Sequence, residues 1–142
     1  MTARAAVVAI ALSALFGSAA GSAPECSDPC SVEALAVGYL SPVNDIASGT
    51  RVEWSASADS HPTSDTTDQV TRCFLVEVGV GVTPTPVRFD IDGGTLRATT
   101  APGTAEESTS TCVNATLLDG SYILPFRCMI HGFMNGVLRV HP

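Results

Sequence analysis

The sequence predicts an all-β protein, folded as a two-sheet Greek-key sandwich of seven or eight strands. After the N-terminal residues, no segment shows a helical pattern, and short runs rich in Val, Thr and aromatic residues alternate with Gly, Pro, Ser and Asp. Such short runs between turn residues are typical of strands. About 115 residues with this pattern and without helices favour two packed sheets.

The strand predictions follow from alternation along the chain. Val52 and Trp54 alternate with charged residues in the segment 51–54, so both are predicted to face the core. The segment Asp92-Gly93-Gly94 predicts a tight hairpin between two strands. Further strands are predicted at 32–38, 87–91, 96–100, 122–128 and 136–140, with a turn at 41–44 and a polar loop at 101–110.

A separate pattern in the middle of the chain predicts one buried face. Five apolar residues share one parity, with Glu77 on the other: Phe74, Val76, Val78, Val80 and Val82. Residues at alternate positions of a strand point to the same side of a sheet. We therefore expect all five side chains to face the core.

The first twenty residues are predicted to be a secretory signal peptide. An apolar run at 5–16 follows Arg4, and small residues follow it. The run is too short and wrongly flanked for a membrane span. Cleavage between residues 20 and 23 leaves a Cys-containing segment at 21–31 and one domain at 32–142. We expect an exported protein, periplasmic, extracellular or lumenal, with no membrane span in its mature form.

The chain is acidic, with 7 Arg, no Lys, 14 acidic residues and a net charge of −7. Removal of the signal peptide removes Arg4 and leaves a net charge of −8. This charge argues against nucleic acid as a partner. Four acidic residues form either a negative rim at one end of the domain or an ordinary solvated loop: Glu53, Asp59, Asp65 and Asp68.

Five cysteines in the mature chain indicate an oxidising compartment. If Cys128 binds a metal, the other four allow three disulfide pairings. We favour Cys26–Cys30 together with Cys73–Cys112, which closes a loop of 39 residues. A zinc site formed by the same four cysteines is the alternative, although their spacing is not that of a Cys-x-x-Cys repeat.

The strongest functional signal is Cys128-x-x-His131-x-x-Met134, between the last two predicted strands. Soft sulfur with imidazole selects copper, and one Cys, two His and a weak axial Met are the donors of a blue-copper electron-transfer site. His61 can supply the second imidazole. His141 follows Met134 by seven residues of extended chain, about 20 Å, which places it at the opposite pole.

With this motif the chain resembles the cupredoxins, the group of small blue-copper proteins that includes plastocyanin, amicyanin and pseudoazurin. The short Cys128–Met134 loop is most similar to the loop of amicyanin. The segment Gly49–Trp54 before His61 resembles the strand that precedes the first histidine ligand of the family. The resemblance covers most of the mature chain, although residues 65–120 match only by pattern.

The resemblance implies a cupredoxin-like Greek-key sandwich with one type 1 copper, bound by His61, Cys128, His131 and Met134. It implies an electron carrier that cycles between Cu(II) and Cu(I), and not an enzyme. It also implies a monomer that docks transiently with redox partner proteins near His131 and Phe133.

Three positions around the motif bear on its chemistry. Pro62 has no N–H with which to hydrogen-bond the Cys128 sulfur, whereas many relatives have Asn there. Ile130 replaces a Pro of many relatives, so its N–H is expected to reach the sulfur instead. Replacing Ile130 with Pro is then expected to lower the reduction potential. Gly132 is predicted to permit a tight turn.

Other functions stay open at this point. The chain is alternatively a copper carrier or storage protein without an electron-transfer role, a structural sandwich with no copper affinity, or an accessory domain of a larger copper oxidase. The sequence shows no Ser-His-Asp group or carboxylate pair that would predict catalytic residues. Asn114-Ala-Thr116 is a glycosylation acceptor only in a eukaryotic host.

Overall fold

The computed structural model describes residues 25–142, and the predicted signal peptide with its cleavage site lies outside this part. Residues 25–142 contain no helix, and therefore none that would cross a membrane. They form eleven strands: β1 (Cys30–Ala34), β2 (Val43–Ala47), β3 (Arg51–Ala56), β4 (Thr63–Ser64), β5 (Leu75–Val76), β6 (Val87–Asp92), β7 (Thr95–Thr100), β8 (Ser108–Thr111), β9 (Thr116–Leu118), β10 (Ser121–Cys128) and β11 (Asn135–His141).

The strands form two mixed sheets. One has the order β1-β3-β6-β7-β8, and the other has the order β2-β11-β10-β4-β5, with β9 paired to β10. The pairs β1–β3 and β11–β2 are parallel, and the remaining pairs are antiparallel. This all-β sandwich of two sheets confirms the fold class predicted from the sequence. Three of the eleven strands have only two or three residues, which accounts for the excess over seven or eight.

An aromatic cluster fills the core between the sheets. The Trp54 ring stacks on Phe74 with 5.0 Å between the ring centroids and meets Phe126 edge-on at 5.6 Å. Tyr39 also packs edge-on against Phe126, at 4.9 Å. Because aromatic pairs favour these geometries, the cluster links both sheets. The predicted burial of Val52 and Trp54 is confirmed.

The hairpin prediction is confirmed, and several neighbouring predictions are wrong. Gly93 and Gly94 join β6 to β7 with φ of 57° and 77°, which suits a residue without Cβ. Val80 and Val82 are exposed, because the chain turns away from the sheet after Val78. β2 begins at Val43, inside the turn predicted at 41–44, and β8 overlaps the end of the polar loop predicted at 101–110.

The disulfides lie at the margins of the sandwich. The structure pairs Cys26 with Cys30 and Cys73 with Cys112, the pairing favoured from the sequence. The zinc site proposed for these four cysteines is therefore wrong, because a disulfide sulfur is no thiolate ligand. Cys73 precedes β5 and Cys112 follows β8, so their bond joins the edge strands of the two sheets.

The Asp65 carboxylate organises the chain beside this disulfide. It accepts hydrogen bonds from the backbone N–H groups of Cys73 and Phe74, at 3.0 and 3.3 Å, and from Asn114 Nδ2, at 2.9 Å. Asn114 Nδ2 also donates to the Thr71 carbonyl. A glycan on Asn114 Nδ2 would replace one of its two hydrogens and would therefore break at least one of these hydrogen bonds. Asp65 is buried, so it is not part of a negative rim.

A second polar group lies at the end of the sheet opposite the Cys128 loop. His141 Nε2 lies 2.7 Å from Asp45 Oδ1, and its Nδ1 lies 2.7 Å from the Ser121 hydroxyl. Arg139 donates to the other Asp45 oxygen at 2.8 Å. The sequence prediction of no Ser-His-Asp group is thus wrong, because only the pairing of β2, β10 and β11 brings these residues together. We assign the group a structural role, since it ties three strands through one carboxylate.

Asp45→Asn is expected to lower the free energy of unfolding by about 1–3 kcal/mol at neutral pH, because Asp45 is a buried hydrogen-bond acceptor. Burial opposes ionisation of this carboxyl, but the hydrogen bonds from His141 and Arg139 outweigh it and hold the pKa of Asp45 below its usual range. The ionised carboxylate therefore contributes its full stability above the unfolded pKa of about 3.9, and that stability is lost as the pH falls through the folded pKa.

Urea unfolding at a series of acid pH values measures this contribution. The variant should show a shallower loss of stability in the acid window than the parent protein. Asp92→Asn is the control, because Asp92 is largely exposed and lies 3.6 Å from Arg97, where an ion pair contributes little. An acid dependence that is the same with and without the Asp45 carboxylate would contradict the assignment.

Candidate metal centre

His61 is held in the core between β3 and β4 by backbone and hydroxyl contacts. Its N–H donates to the Val78 carbonyl at 2.7 Å, and its side chain is fully buried. The Thr63 hydroxyl donates to the His61 carbonyl at 2.8 Å. Since that hydroxyl has a single proton, the Tyr39 hydroxyl must donate to Thr63, at 2.9 Å. These contacts fix the backbone from which the imidazole projects.

Tyr39 supplies the first hydroxyl of this hydrogen-bonded chain, and the pKa of its phenol is perturbed. Its burial raises the pKa of Tyr39 to about 12. The phenol therefore stays protonated at physiological pH, as its donated hydrogen bond to Thr63 requires. Sequence reasoning missed both residues, because Tyr39 lies 24 positions from Thr63 along the chain.

The Cys128–Met134 loop is closed by its own backbone. The Cys128 N–H donates to the Met134 carbonyl at 3.0 Å, and the Met134 N–H donates to the His131 carbonyl at 2.9 Å. The Met129 N–H donates to the Pro62 carbonyl at 2.7 Å, which joins this loop to the segment after His61. These hydrogen bonds thus hold two segments that are distant in sequence together beside His61 and His131.

Three donor atoms converge at this junction. His61 Nδ1 and His131 Nδ1 lie 3.2 Å apart, and each lies 3.6 Å from Cys128 Sγ. Nitrogen and sulfur ligands of one tetrahedral or trigonal metal ion, at about 2.0–2.1 and 2.3 Å, are separated by about 3.3–3.6 Å for N and N and 3.6–3.8 Å for N and S. The triangle therefore fits one ion, and these three residues form a group that could hold a metal.

Burial differs among the predicted ligands. Cys128 and His61 are fully buried and Met134 is 1% exposed, whereas His131 is partly exposed. The His131 ring lies 5.8 Å from Phe133, which is itself 66% exposed. His131 is therefore the member of the group that reaches the surface, and an apolar side chain lies beside it.

The hydrogen bond to the thiolate differs from the sequence prediction. The backbone N–H of His131 donates to Cys128 Sγ, with 3.4 Å between N and Sγ. The donor predicted from the sequence, the Ile130 N–H, makes no such bond, so the potential shift expected for Ile130→Pro loses its basis. A donor to the sulfur withdraws charge from the thiolate and tunes a metal bound there.

Gly132 lies in a tight turn, as predicted, because the Met134 N–H donates to the His131 carbonyl across it. Its φ is not in the left-handed region, but a Cβ at this position would lie 3.2 Å from Arg127 Nη2. The absence of a side chain thus makes room for a guanidinium group against the loop. Arg127 was not predicted from the sequence, where its position beside Cys128 is the only indication.

Four acidic residues were predicted to form either a negative rim or a solvated loop, and Asp65 belongs to neither. Asp65 is buried, and the Asp68 carboxylate accepts hydrogen bonds from the Val70 N–H and the Thr71 hydroxyl of its own loop. His141 lies with Asp45 and Ser121 and outside the donor triangle, as predicted. The structure therefore brings together His61, Cys128 and His131, with Met134 buried at the end of their loop.

Comparison with known proteins gives matches only among solved structures. No protein-family model matches the sequence, and no curated protein does. The chain is similar to a proline-to-glycine mutant of amicyanin in its reduced Cu(I) form at pH 4, with 18% identity and a TM-score of 0.41 over 81% of this chain and 84% of that chain. A second such mutant, oxidised, has 17% identity and a TM-score of 0.40 over 89% and 88%.

A third similar structure is the copper-containing nitrite reductase from Thermus scotoductus SA-01. It has 18% identity and a TM-score of 0.39, over 80% of this chain. The match covers 22% of the nitrite reductase chain.

Proposed function

We propose that this protein is a type 1 blue-copper protein that carries single electrons between redox partners. The observation that supports it is the triangle of His61 Nδ1, His131 Nδ1 and Cys128 Sγ, with sides of 3.2–3.6 Å. In this proposal the three residues and Met134 hold one copper ion. Two imidazoles, a thiolate and a weak thioether suit copper in both of its oxidation states, and copper supplies the one-electron Cu(II)/Cu(I) couple.

The contribution of the protein is to keep these donors in place. His61 is fixed by backbone contacts to Val78 and by the Tyr39–Thr63 hydroxyl chain, while three backbone hydrogen bonds fix the Cys128 loop. Such a site changes little in geometry between the two oxidation states, which favours fast transfer. All members of the group are proposed to bind the copper ion, and none of them remains to act on a substrate. We therefore propose a carrier and not an enzyme.

The partly exposed edge of His131, with Phe133 beside it, is the proposed docking surface for redox partner proteins. Encounters there would be transient, with the protein as a monomer. The two disulfides accord with export to an oxidising compartment, periplasmic, extracellular or lumenal.

Voltammetry of the copper-loaded protein, together with competition by a Cu(I) chelator, tests the carrier against a storage protein. An electron carrier should give a reversible one-electron wave and retain its metal through repeated cycles, because the buried donors of His61 and Cys128 release it slowly. Rapid loss of Cu(I) to the chelator, with no reversible wave, would support copper storage instead and would contradict the proposal.

Met134→Gln is expected to lower the reduction potential of the copper-loaded protein. An amide oxygen is a harder ligand than a thioether and stabilises Cu(II) relative to Cu(I), and the axial ligand tunes the potential of such sites. Met129→Gln is the matched control, because Met129 contacts Pro62 through its backbone and is assigned no ligand role. Equal potentials for the parent protein and the Met134 variant would contradict the axial assignment.

A further inference from the structure

An arginine without a partner lies against the proposed metal loop. Arg127 is on the outer face of β10, where it pairs with Ser64 on one side and Asn135 on the other. Its Nη2 lies over Gly132, at 3.2 Å from the position that a Cβ would take. Gly132 stands between His131 and Phe133, so the guanidinium borders the exposed edge of the centre.

The Arg127 guanidinium lacks both a hydrogen-bond partner at its buried Nε and an ion-pair partner among residues 25–142. Arg51, Arg88, Arg97 and Arg139 each contact an Asp. Arg72 also has a buried, unpartnered Nε, but it precedes Cys73 of the disulfide, whereas Arg127 lies against the Cys128–Met134 loop. An unpaired guanidinium with a buried N–H is costly, and its planar fork suits a carboxylate.

Two apolar side chains complete the surface around this cation. Ile130 is 61% exposed, and Phe133 extends beside the His131 ring. An exposed apolar area with one cation at its border is the complement of a partner that presents a carboxylate at the border of an apolar face. The net charge of the whole chain is −7. A positively charged site here is therefore a local exception on an acidic protein.

We propose that Arg127 is the specificity contact of the electron-transfer edge, and that it accepts a carboxylate of an acidic redox partner protein. The inference rests on the proposed function for its electron-transfer part, whereas the anion-binding part concerns the apo-protein alone. Gly132 contributes to the same site, because its lack of a side chain leaves room for the guanidinium at the edge of the loop.

The first test is an NMR titration of the apo-protein with hexacyanocobaltate(III), a redox-inert anion. We expect saturable shifts of the Gly132 amide, which disappear in Arg127→Gln and persist in Arg127→Lys. Arg97→Gln is the matched control, because Arg97 pairs with Asp92 on the other sheet; it should leave the titration unchanged. Shifts that are absent in the parent protein, or unchanged in Arg127→Gln, would overturn the proposal.

The second test measures oxidation of the Cu(I) protein by one-electron reagents of opposite charge. With hexacyanoferrate(III), which gains the electron that Cu(I) loses, Arg127→Gln should slow the reaction about threefold to tenfold, since one charge at contact range is partly screened by salt. With a cationic tris(phenanthroline)cobalt(III) reagent the same variant should react faster.

Failure of the partner assignment and failure of the proposed function give different experimental results. If Arg127→Gln keeps its blue copper and reversible wave but reacts with both reagents at parental rates, the partner assignment is wrong and the carrier function stands. If the parent protein binds no copper but its apo form still binds the anion at Arg127, the proposed function fails and the anion site stands.

Discussion

Gly136→Ala should destabilise the protein by about 3 kcal/mol, at the upper end of the cost of overpacking a core. Gly136 on β11 lies opposite Phe126 on β10, and a Cβ there would come within 2.8 Å of three carbons of the Phe126 ring. The ring cannot yield easily, because Trp54 and Tyr39 pack edge-on against it. Since domains are stable by only about 5–15 kcal/mol, the loss is large.

Displacement of Phe126 should also reach the metal centre, because Cys128 lies two residues further along the same strand. Chemical denaturation and a metal titration followed by the fluorescence of Trp54, the single tryptophan, measure both effects. Gly38→Ala is the control, since nothing lies within 4 Å of a Cβ at that position. Phe126→Leu should partly rescue Gly136→Ala; strictly additive effects in the double-mutant cycle would contradict a clash between the two positions.

Removal of the Cys73–Cys112 disulfide by replacing both residues with Ala should cost about 3–4 kcal/mol, from the loop-closure entropy of a 39-residue loop. The physical reason is specific to this fold. The bond joins the edge strands β5 and β8, which belong to different sheets. Without it, we expect the sandwich to open along that side, where Asn114 donates hydrogen bonds to Asp65 and to the Thr71 carbonyl.

The second disulfide provides the comparison. Cys26–Cys30 closes a loop of only 4 residues, for which the same model gives about 2 kcal/mol. Hydrogen exchange should show faster opening of β5 and β8 in the Cys73/Cys112 variant, and no such change in the Cys26/Cys30 variant. Equal losses of stability in the two variants, with no local opening of β5 and β8, would contradict the claim that the Cys73–Cys112 bond holds these two strands together.

The local sequence pattern was sufficient to predict the role of a residue wherever that role depends on its immediate neighbours in the chain. Alternation around Trp54 identified a core position, Asp92-Gly93-Gly94 identified a hairpin, and the close spacing of Cys128, His131 and Met134 identified one loop. Val80 and Val82 show the limit of this reasoning, because they continue the parity of Val78 after the chain has left the sheet.

Contacts between distant segments could not be predicted in this way. The Asp45–His141–Ser121 group needs three strands, and the Tyr39–Thr63 hydrogen bond needs a loop placed against β4. The donor to the Cys128 sulfur depends on the orientation of a single peptide group, which spacing does not determine. The role of Gly132 likewise depends on where the long Arg127 side chain lies.

The most direct test of the central claim is the visible absorption spectrum of the mature protein after addition of Cu(II), with Cys128→Ser as the control. The account predicts an intense blue band at one copper per chain, which is absent from the control because the band requires a bond between copper and the Cys128 thiolate. A colourless protein, or a band that survives in Cys128→Ser, would contradict the claim that His61, Cys128 and His131 form a blue-copper centre.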